Sequence, residues 1–227
     1  MCIRDRFKNF EIRKLDSYCR VKSKLSDKFP DRLAEILSLE FGLFYFPFKL
    51  GTKVNYTDNK YGYTKSKGVV EMVFGFIFII LIETVVVHIL LHKWSPLFAF
   101  LCSFSSLYLI LLFVAILRSR TFFPVEINSE QQKLILQYGY INKSVIDFSD
   151  LNSVQLTSKS KQIDLIKLST FEAVESYNLI IHCNKVQSIR MTFGIRKKYT
   201  SIALYLDRPN DFINNLTEVI DQNEKVA

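Results

Sequence analysis

Glu83 is a carboxylate inside a long apolar stretch, which makes it the first candidate for chemistry in this sequence. In a helix it would lie about 12 Å from Leu91, and the same distance along the next apolar stretch reaches Ser105 and Ser106. An ionisable group at that depth in a membrane is costly and normally faces a polar partner. Two interpretations follow. A protonated Glu83 hydrogen-bonds a serine and holds two helices together, which we favour, or these groups form a proton- or ion-sensitive site.

His88 and His92 are four residues apart, a spacing at which two imidazoles on one helical face can share a metal ion. No Asp, Glu or Cys follows at helical spacing to complete a coordination shell. Glu83 is about 140° around the helix from His88, so it does not converge on the same ligand. We therefore interpret both histidines as interfacial residues and expect neither a metal nor a cofactor.

The second candidate site is basic and lies near the C-terminus. Arg190, Arg196, Lys197 and Lys198 surround a predicted turn at residues 194–198. Beside a membrane, each basic residue would contribute about 1 kcal/mol to contact with anionic lipid. A solvated hairpin tip without a ligand explains the same residues equally well.

Motifs for catalysis are missing from the sequence. It contains no G-x-S-x-G, no H-E-x-x-H, no P-loop and no dinucleotide-binding glycine pattern. The four cysteines are scattered, which predicts neither a disulfide framework nor a zinc module. Asp147 and Asp150 fit a chain corner better than an acid/base pair. We expect a protein that is not an enzyme.

Two apolar stretches must position the intramembrane groups. Residues 69–91 and 96–117 are both long enough to cross a bilayer, and their apolar residues cover all faces. Four residues separate them, with Ser95 as a natural N-cap and Pro96 as a natural first helical residue. The sequence predicts an antiparallel transmembrane hairpin over 69–117, with Trp94 at its turn in an interfacial aromatic belt.

Flanking charge predicts the orientation of the hairpin. Residues 1–68 contain 15 Lys and Arg against 8 Asp and Glu, whereas residues 118–227 contain 14 against 12. The basic residues that flank the apolar stretches are Lys53, Lys60, Lys65, Lys67, Arg118 and Arg120, against Lys93 in the turn. This bias places both ends of the chain in the cytoplasm and predicts an inner-membrane protein. Because the charge lies before the apolar block, nucleic-acid binding by a basic domain is disfavoured.

The segments before the hairpin are basic and then amphipathic. Residues 1–28 form a basic segment, and residues 1–6 (MCIRDR) resemble the translation of a sequencing-library adapter, so we expect an artefact there and further natural sequence upstream. Residues 29–68 predict a helix from an Asp31 N-cap to Pro47, about 15 residues long and lying on the membrane, then a polar connector whose lysines favour anionic head groups.

Residues 118–227 predict a cytoplasmic β domain closed by a helix. Alternating residues and turn signals every 8–12 positions indicate a sandwich or barrel. Strands are expected at 123–128, 133–138, 140–148, 153–157, 163–168, 177–183, 186–193 and 200–206. A helix follows at 211–222, with Phe212, Ile213, Leu216, Val219 and Ile220 on one stripe.

Two stretches of this domain carry a resemblance to a known family. LILQYG at 134–139 and VIDFSDLNSV at 145–154 resemble the strand, Gly, strand and S-D-L-x-S-V signature of bacterial PH-like domains, and PNDFINNL at 209–216 is similar to their closing helix. The resemblance implies a membrane-tethered interaction domain without catalytic residues. The chain also resembles Bacteroidota-type membrane proteins with an E-T-x-x-x-H helix and a K-W-S turn. Such chains are sometimes labelled carotene oxygenases. We reject that label, because those enzymes hold iron with four histidines and this chain has only three.

Together these features predict an α+β membrane protein, in which a two-helix transmembrane hairpin is followed by a PH-like β-barrel or sandwich with a C-terminal helix. We expect a non-catalytic binding or scaffolding protein whose partner is a membrane lipid, another protein or a second copy of the chain. Two alternatives stay open. One is a subunit of a transport or proton-responsive assembly that uses Glu83, and the other is a membrane enzyme whose catalytic part lies upstream.

Overall fold

The computed structural model describes residues 17–49, 59–66, 68–157, 165–169, 171, 175–191 and 195–224. Within these ranges the chain is a mixed α+β protein with five α-helices and an eight-stranded sheet. The adapter-like residues 1–6, together with Lys53 and Lys67 of the connector, lie outside the described residues, so the expectations for them stay predictions.

Two helices precede the hairpin. The first, α1 (Ser17–Lys28), is polar apart from a few residues that include the buried Tyr18, and the sequence did not predict it. The second, α2 (Asp31–Phe48), begins one residue after the expected N-cap, because Pro30 holds the N-cap position and Asp31 is the first helical residue. The helix also continues through Pro47. A proline this close to a helix end removes one backbone hydrogen bond, and full burial of Phe46 beside it favours the helical path.

The hairpin forms as predicted, with each helix slightly longer than expected. Helix α3 (Val69–His92) and helix α4 (Pro96–Ser119) have 24 residues each and are long and apolar enough to cross a membrane. Ser95 is the N-cap residue and Pro96 the first helical residue of α4, although the Ser95 side chain makes no capping hydrogen bond. The tight link places the two helices side by side in opposite directions.

The β domain is built on eight strands. They are β1 (Lys60–Tyr61), β2 (Val125–Asn128), β3 (Lys133–Tyr138), β4 (Asn142–Asp147), β5 (Leu151–Leu156), β6 (Ile166–Lys167), β7 (Leu179–Arg190) and β8 (Arg196–Leu204). A 3-10 turn at Phe148–Asp150 makes the predicted corner between β4 and β5. Gly139, in the β3–β4 turn, has a φ of +60°, the left-handed conformation that favours glycine.

Strand β7 pairs with three other strands of the sheet. Its first half pairs with β5 and its last residue, Arg190, pairs with Lys143 of β4, while β8 runs along both halves. The pairing with β8 shifts register between His182 and Gln187, so the strand is irregular at its middle. The order is β1-β2-β3-β4-β7-β8-β6, with β6 parallel to β8 and the other pairs antiparallel.

The core of the domain lies between the sheet and the last helix, α5 (Pro209–Glu224). Phe212 and Leu216 of α5 are fully buried against strand residues such as Leu136 and Ile181. Ile213, Val219 and Ile220 pack against the same core from partly buried positions, which confirms the predicted stripe.

Three predictions about the strands are wrong. The expected strands at 177–183 and 186–193 are one continuous strand, β7, because the exposed polar run after Cys183 interrupts the alternation without ending the strand. The connector before the hairpin belongs partly to the β domain, since β1 pairs with β2 and the fully buried Tyr63 stacks on Tyr138. Residues 196–198, expected in a turn, begin β8.

Candidate membrane-contact surfaces and their junction

The hairpin presents apolar side chains to its surroundings along most of its length. Large exposed residues include Phe74, Phe78, Ile82, Val85 and Leu90 on α3 and Leu97, Phe100, Phe104 and Leu107 on α4. Burial is concentrated where the helices reach the β domain, at Val69 and Val73 of α3 and at Ala115 and Ile116 of α4. A surface of this size and composition would be unfavourable in water.

The polar groups of the hairpin do not meet as the sequence suggested. Glu83 is exposed on the hairpin surface and does not contact Ser105 or Ser106. Ser105 donates to the carbonyl of Leu101, and Ser106 donates to the carbonyl of Cys102, so both hydroxyls are satisfied within their own helix. The predicted bond between Glu83 and these serines is therefore not formed.

A different pair links the two helices. Nδ1 of His88 lies 2.7 Å from the Ser103 hydroxyl, which also donates to the carbonyl of Ala99 at 2.9 Å. The His88 and His92 rings stack with centroids 5.7 Å apart. Among the described residues there is no group of three or more His, Cys, Asp or Glu side chains placed to hold a metal ion. The arrangement is that of an interhelical hydrogen bond near the turn.

A buried ion pair connects the hairpin to the β domain. Arg120 follows α4 directly, and its guanidinium contacts the carboxylate of Glu175 in the segment before β7. Arg120 also donates to the carbonyl of Tyr63 at 2.9 Å, and Ser169 donates to Glu175 at 2.5 Å. The side chains of the ion pair are 6% and 2% exposed. Arg120 was expected to be a flanking charge at the membrane surface, and in the structure its side chain is buried in this ion pair.

Aromatic rings complete this junction. Tyr63 and Tyr138 stack with centroids 3.7 Å apart, and the Arg120 guanidinium carbon lies 5.3 Å from the centre of the Tyr63 ring. The Tyr63 hydroxyl accepts the backbone N–H of Gly139 at 2.6 Å. Burial raises the pKa of Tyr138 well above its ordinary value, with a smaller contribution from Glu175. The junction is buried, aromatic and held by hydrogen bonds.

A second aromatic cluster joins α1, α2 and the start of the β domain. Tyr18, Phe46, Phe123 and Tyr140 pack together with ring centroids between 5.0 and 6.1 Å apart. Gly42 makes room for them, because a Cβ atom there would lie 2.7 Å from the Tyr140 ring. Helix α2 is therefore fixed to the β domain rather than attached through the connector alone.

The four basic candidates divide between two faces of the sheet. Arg190 pairs with Arg196 across β7 and β8, and Ser188 pairs with Lys198, so these three basic side chains share one face. Lys197 is paired with the buried Ile189 and belongs to the other face, although its own side chain is exposed. The turn itself includes residues outside the described ranges.

Arg190 is also the centre of a row of cations. Lys143, Arg190 and Arg196 are register partners on three neighbouring strands, and we call them the cationic row. Glu35 of α2 lies against this row, 2.5 Å from Arg190 and 3.4 Å from Lys22 of α1. Burial lowers the pKa of Lys22, and the positive charges of Arg190 and Lys143 lower it further, while Glu35 raises it.

Helix α2 lies beside α4, with its apolar residues outward. Glu40 accepts a hydrogen bond from the Tyr108 hydroxyl at 2.9 Å, and Arg118 donates to the carbonyl of Lys49 at 2.8 Å. Both helices therefore run in the same direction. Six large apolar residues on and just before α2 are exposed, and we call them the outer stripe: Phe29, Leu33, Ile36, Leu37, Phe44 and Phe48.

The sequence did not single out Glu35, Glu175 or Lys22. Their chemistry depends on partners that are distant in the chain, such as Arg190, which is 155 residues from Glu35. One signal was present for Glu35: a carboxylate on a strongly apolar helix requires a partner if that face is buried.

No protein-family model, curated protein or solved structure matches the chain.

Proposed function

We propose that this protein is a membrane-anchored, non-catalytic binding or scaffolding protein in which a two-helix hairpin presents a PH-like β domain at the cytoplasmic face of the inner membrane. The observation that carries the proposal is the junction. Arg120 and Glu175 form a buried ion pair directly after α4, so the β domain is held in one orientation at the base of the hairpin. A flexible tether would not need such a contact.

The fold supports a PH-like interpretation of the domain. Its strands share one core, a corner lies at Phe148–Asp150, and the final helix covers the core with Phe212 and Leu216. These features agree with the signature that the sequence resembles. PH-like domains bind lipids, peptides or other domains on their outer surfaces, and the chain offers an exposed basic face for this purpose.

Membrane anchoring is tested with the full chain in bacterial membranes. We expect the protein to stay in the membrane after an alkaline carbonate wash, because the apolar surface of α3 and α4 needs lipid. Reporter fusions after residue 227 and within the turn at residues 93–95 should report opposite sides of the membrane. Release by carbonate would contradict anchoring, and reporters on one side would contradict a spanning hairpin.

The binding function needs a separate measurement. A photo-crosslinking amino acid at Val186, an exposed apolar residue on β7, should give a reproducible adduct with a defined macromolecule in intact cells. The same amino acid at Glu130, in the β2–β3 turn, is the matched control. Equal, diffuse labelling at both positions would contradict a specific binding surface around Val186.

A further inference from the structure

We infer that the outer stripe of α2 lies in the acyl region of the bilayer and that the cationic row lies at the level of the lipid phosphates. The structure thereby assigns the β domain a ligand class, anionic phospholipid of the membrane that anchors it. This inference depends on the membrane anchoring proposed above and names a partner for the same domain.

The two faces of α2 differ in chemistry. Ala34, Glu35, Ser38, Gly42 and Phe46 are buried at spacings of about one helical turn and face α1 and the β domain. The outer stripe lies on the opposite side of the helix, at about 100–220° from Glu35 when each residue advances by 100°. One face of α2 is thus bound to the protein, and the other is apolar and exposed.

Continuity with the hairpin indicates what covers the outer stripe. Helix α2 contacts α4 through Glu40 and Tyr108, and Tyr108 lies about 15 Å along α4 from Arg118. The stripe therefore adjoins the exposed apolar surface of the hairpin, which needs lipid. The carboxylate of Glu40 beside the stripe is satisfied by the Tyr108 hydroxyl, which makes partial insertion of this face less costly.

Charge indicates which lipids lie there. Among the residues that the structure describes, the carboxylate of Glu35 is surrounded by Lys22, Arg190 and Arg196, which contact or neighbour one another. Gly139, four residues before Lys143, lies against Ser119, because a Cβ atom on Gly139 would be 2.8 Å from the Ser119 hydroxyl oxygen. Ser119 ends α4, where a spanning helix leaves the acyl region, so the cationic row lies near the lipid phosphates. The excess of positive charge favours an anionic head group there.

The lipid test uses the full chain reconstituted in phosphatidylcholine vesicles. Traces of spin-labelled phosphatidylglycerol or spin-labelled phosphatidylcholine are added, and the motionally restricted fraction of each label is measured. We expect the wild type to restrict phosphatidylglycerol at least about twofold more than phosphatidylcholine, since basic residues near the surface attract anionic lipid. Raising the salt to about 1 M should reduce the preference, because the Debye length falls to about 3 Å.

Substitutions test which basic residues cause the preference for phosphatidylglycerol. Arg196→Gln with Lys198→Gln removes two charges from the same sheet face without breaking the Glu35 contacts, and should abolish most of the selectivity. Lys133→Gln with Lys185→Gln removes two charges that pair with Asp147 and Asp150, and should preserve it. Arg190→Gln should abolish selectivity as well, and circular dichroism will show whether that variant is folded.

The outer stripe has its own test. A bimane label at Leu37, attached in a cysteine-free variant, should be quenched by nitroxide lipids labelled near the head group, whereas a label at Val186 should not. Absence of selectivity in the wild type, or equal loss in the control pair, would overturn the lipid assignment. If the protein stays in carbonate-washed membranes and still shows no selectivity, only this inference fails. Release from the membrane would remove the proposed function as well.

Discussion

Arg120 and Glu175 form an ion pair in the interior of the protein, at the point where the second hairpin helix meets the β domain. Arg120 also donates a hydrogen bond to the carbonyl of Tyr63, and Glu175 also accepts one from the Ser169 hydroxyl. Buried charges are tolerated when each is paired and hydrogen-bonded, and they become costly when one partner is removed. The contact therefore couples the folding of the domain to the position of the hairpin.

We expect Arg120→Ala to lower the free energy of unfolding by about 3–5 kcal/mol, because Glu175 would be left charged and unpaired in the interior. Glu175→Gln should also lower it, because the Arg120 guanidinium would keep its charge in the interior without a carboxylate partner. The measurement is thermal unfolding of the detergent-solubilised full chain. Arg118→Ala is the control, because Arg118 is exposed and donates a single hydrogen bond to Lys49. Equal effects of the two arginine substitutions would contradict the assignment.

The hairpin and much of the β domain could be predicted because their signals are local. Two long apolar stretches around a four-residue link define α3 and α4, and β3 has the predicted bounds, Lys133–Tyr138. Alternation of polar and apolar residues does not predict the bounds of a strand correctly where exposure varies along it. In β7, the polar residues Asn184 and Lys185 follow Cys183 in succession and break the alternation, so the sequence predicts two strands and a turn where there is one strand.

The contacts of the site could not be predicted because their partners are far apart in sequence. Glu35 meets Arg190 only after the β domain has folded, and Arg120 reaches Glu175 through a loop without a periodic pattern. Ser105 and Ser106 were expected to bind Glu83 only because they lie at the same depth in the hairpin. The position of a residue along a helix gives its depth, but the rotation of the helix about its axis decides which way its side chain points. Because both helices are apolar on nearly all faces, the sequence does not indicate which face of one helix packs against the other.

Gly139 is expected to be intolerant of substitution for two reasons. Its φ of +60° costs an L-residue about 1–2 kcal/mol, and a Cβ atom would lie 2.8 Å from the Ser119 hydroxyl oxygen. Gly139→Ala should therefore lower the melting temperature, and adding Ser119→Ala should restore part of the loss but not all. Gly75→Ala, inside α3 where a Cβ atom meets nothing within 4 Å, should not lower it. Full rescue by Ser119→Ala would show that backbone strain is absent.

We expect the contacts of Asp150 to stabilise the folded protein at neutral pH and to lose this effect in acid. Hydrogen bonds from Lys185 and then Gln187 lower the pKa of its carboxyl group. The folded state therefore holds the charged form more strongly than the unfolded chain does, and this stabilisation is present above about pH 4, the ordinary carboxyl value. It is lost as the pH falls through the lower folded-state pKa. Asp150→Asn should be less stable than the wild type at pH 7, and the two melting temperatures should converge towards pH 2.

Glu83 gives a prediction about assembly. Its side chain points outward from the hairpin, where a carboxyl group among lipids is costly. A second copy of the chain can supply a polar partner, so we expect chemical cross-linking in membranes to give a homo-oligomer in the wild type. Glu83→Leu should reduce the cross-linked fraction, whereas Glu83→Gln, which still forms hydrogen bonds, should retain it. Equal cross-linking of the wild type and the Leu variant would exclude this contact.

Trp94 provides a direct measure of how far the hairpin penetrates. It is the single tryptophan of the chain and lies at the turn between α3 and α4, 85% exposed. Two helices of 24 residues are each about 36 Å long, more than a bilayer core of about 30 Å, so a spanning hairpin places Trp94 at the far interface. Its fluorescence should then be quenched most by lipids brominated near the head group. Strongest quenching by lipids brominated near the acyl-chain ends would instead place the turn at the bilayer centre, where the neighbouring Lys93 is costly, and would show that the hairpin enters one leaflet only.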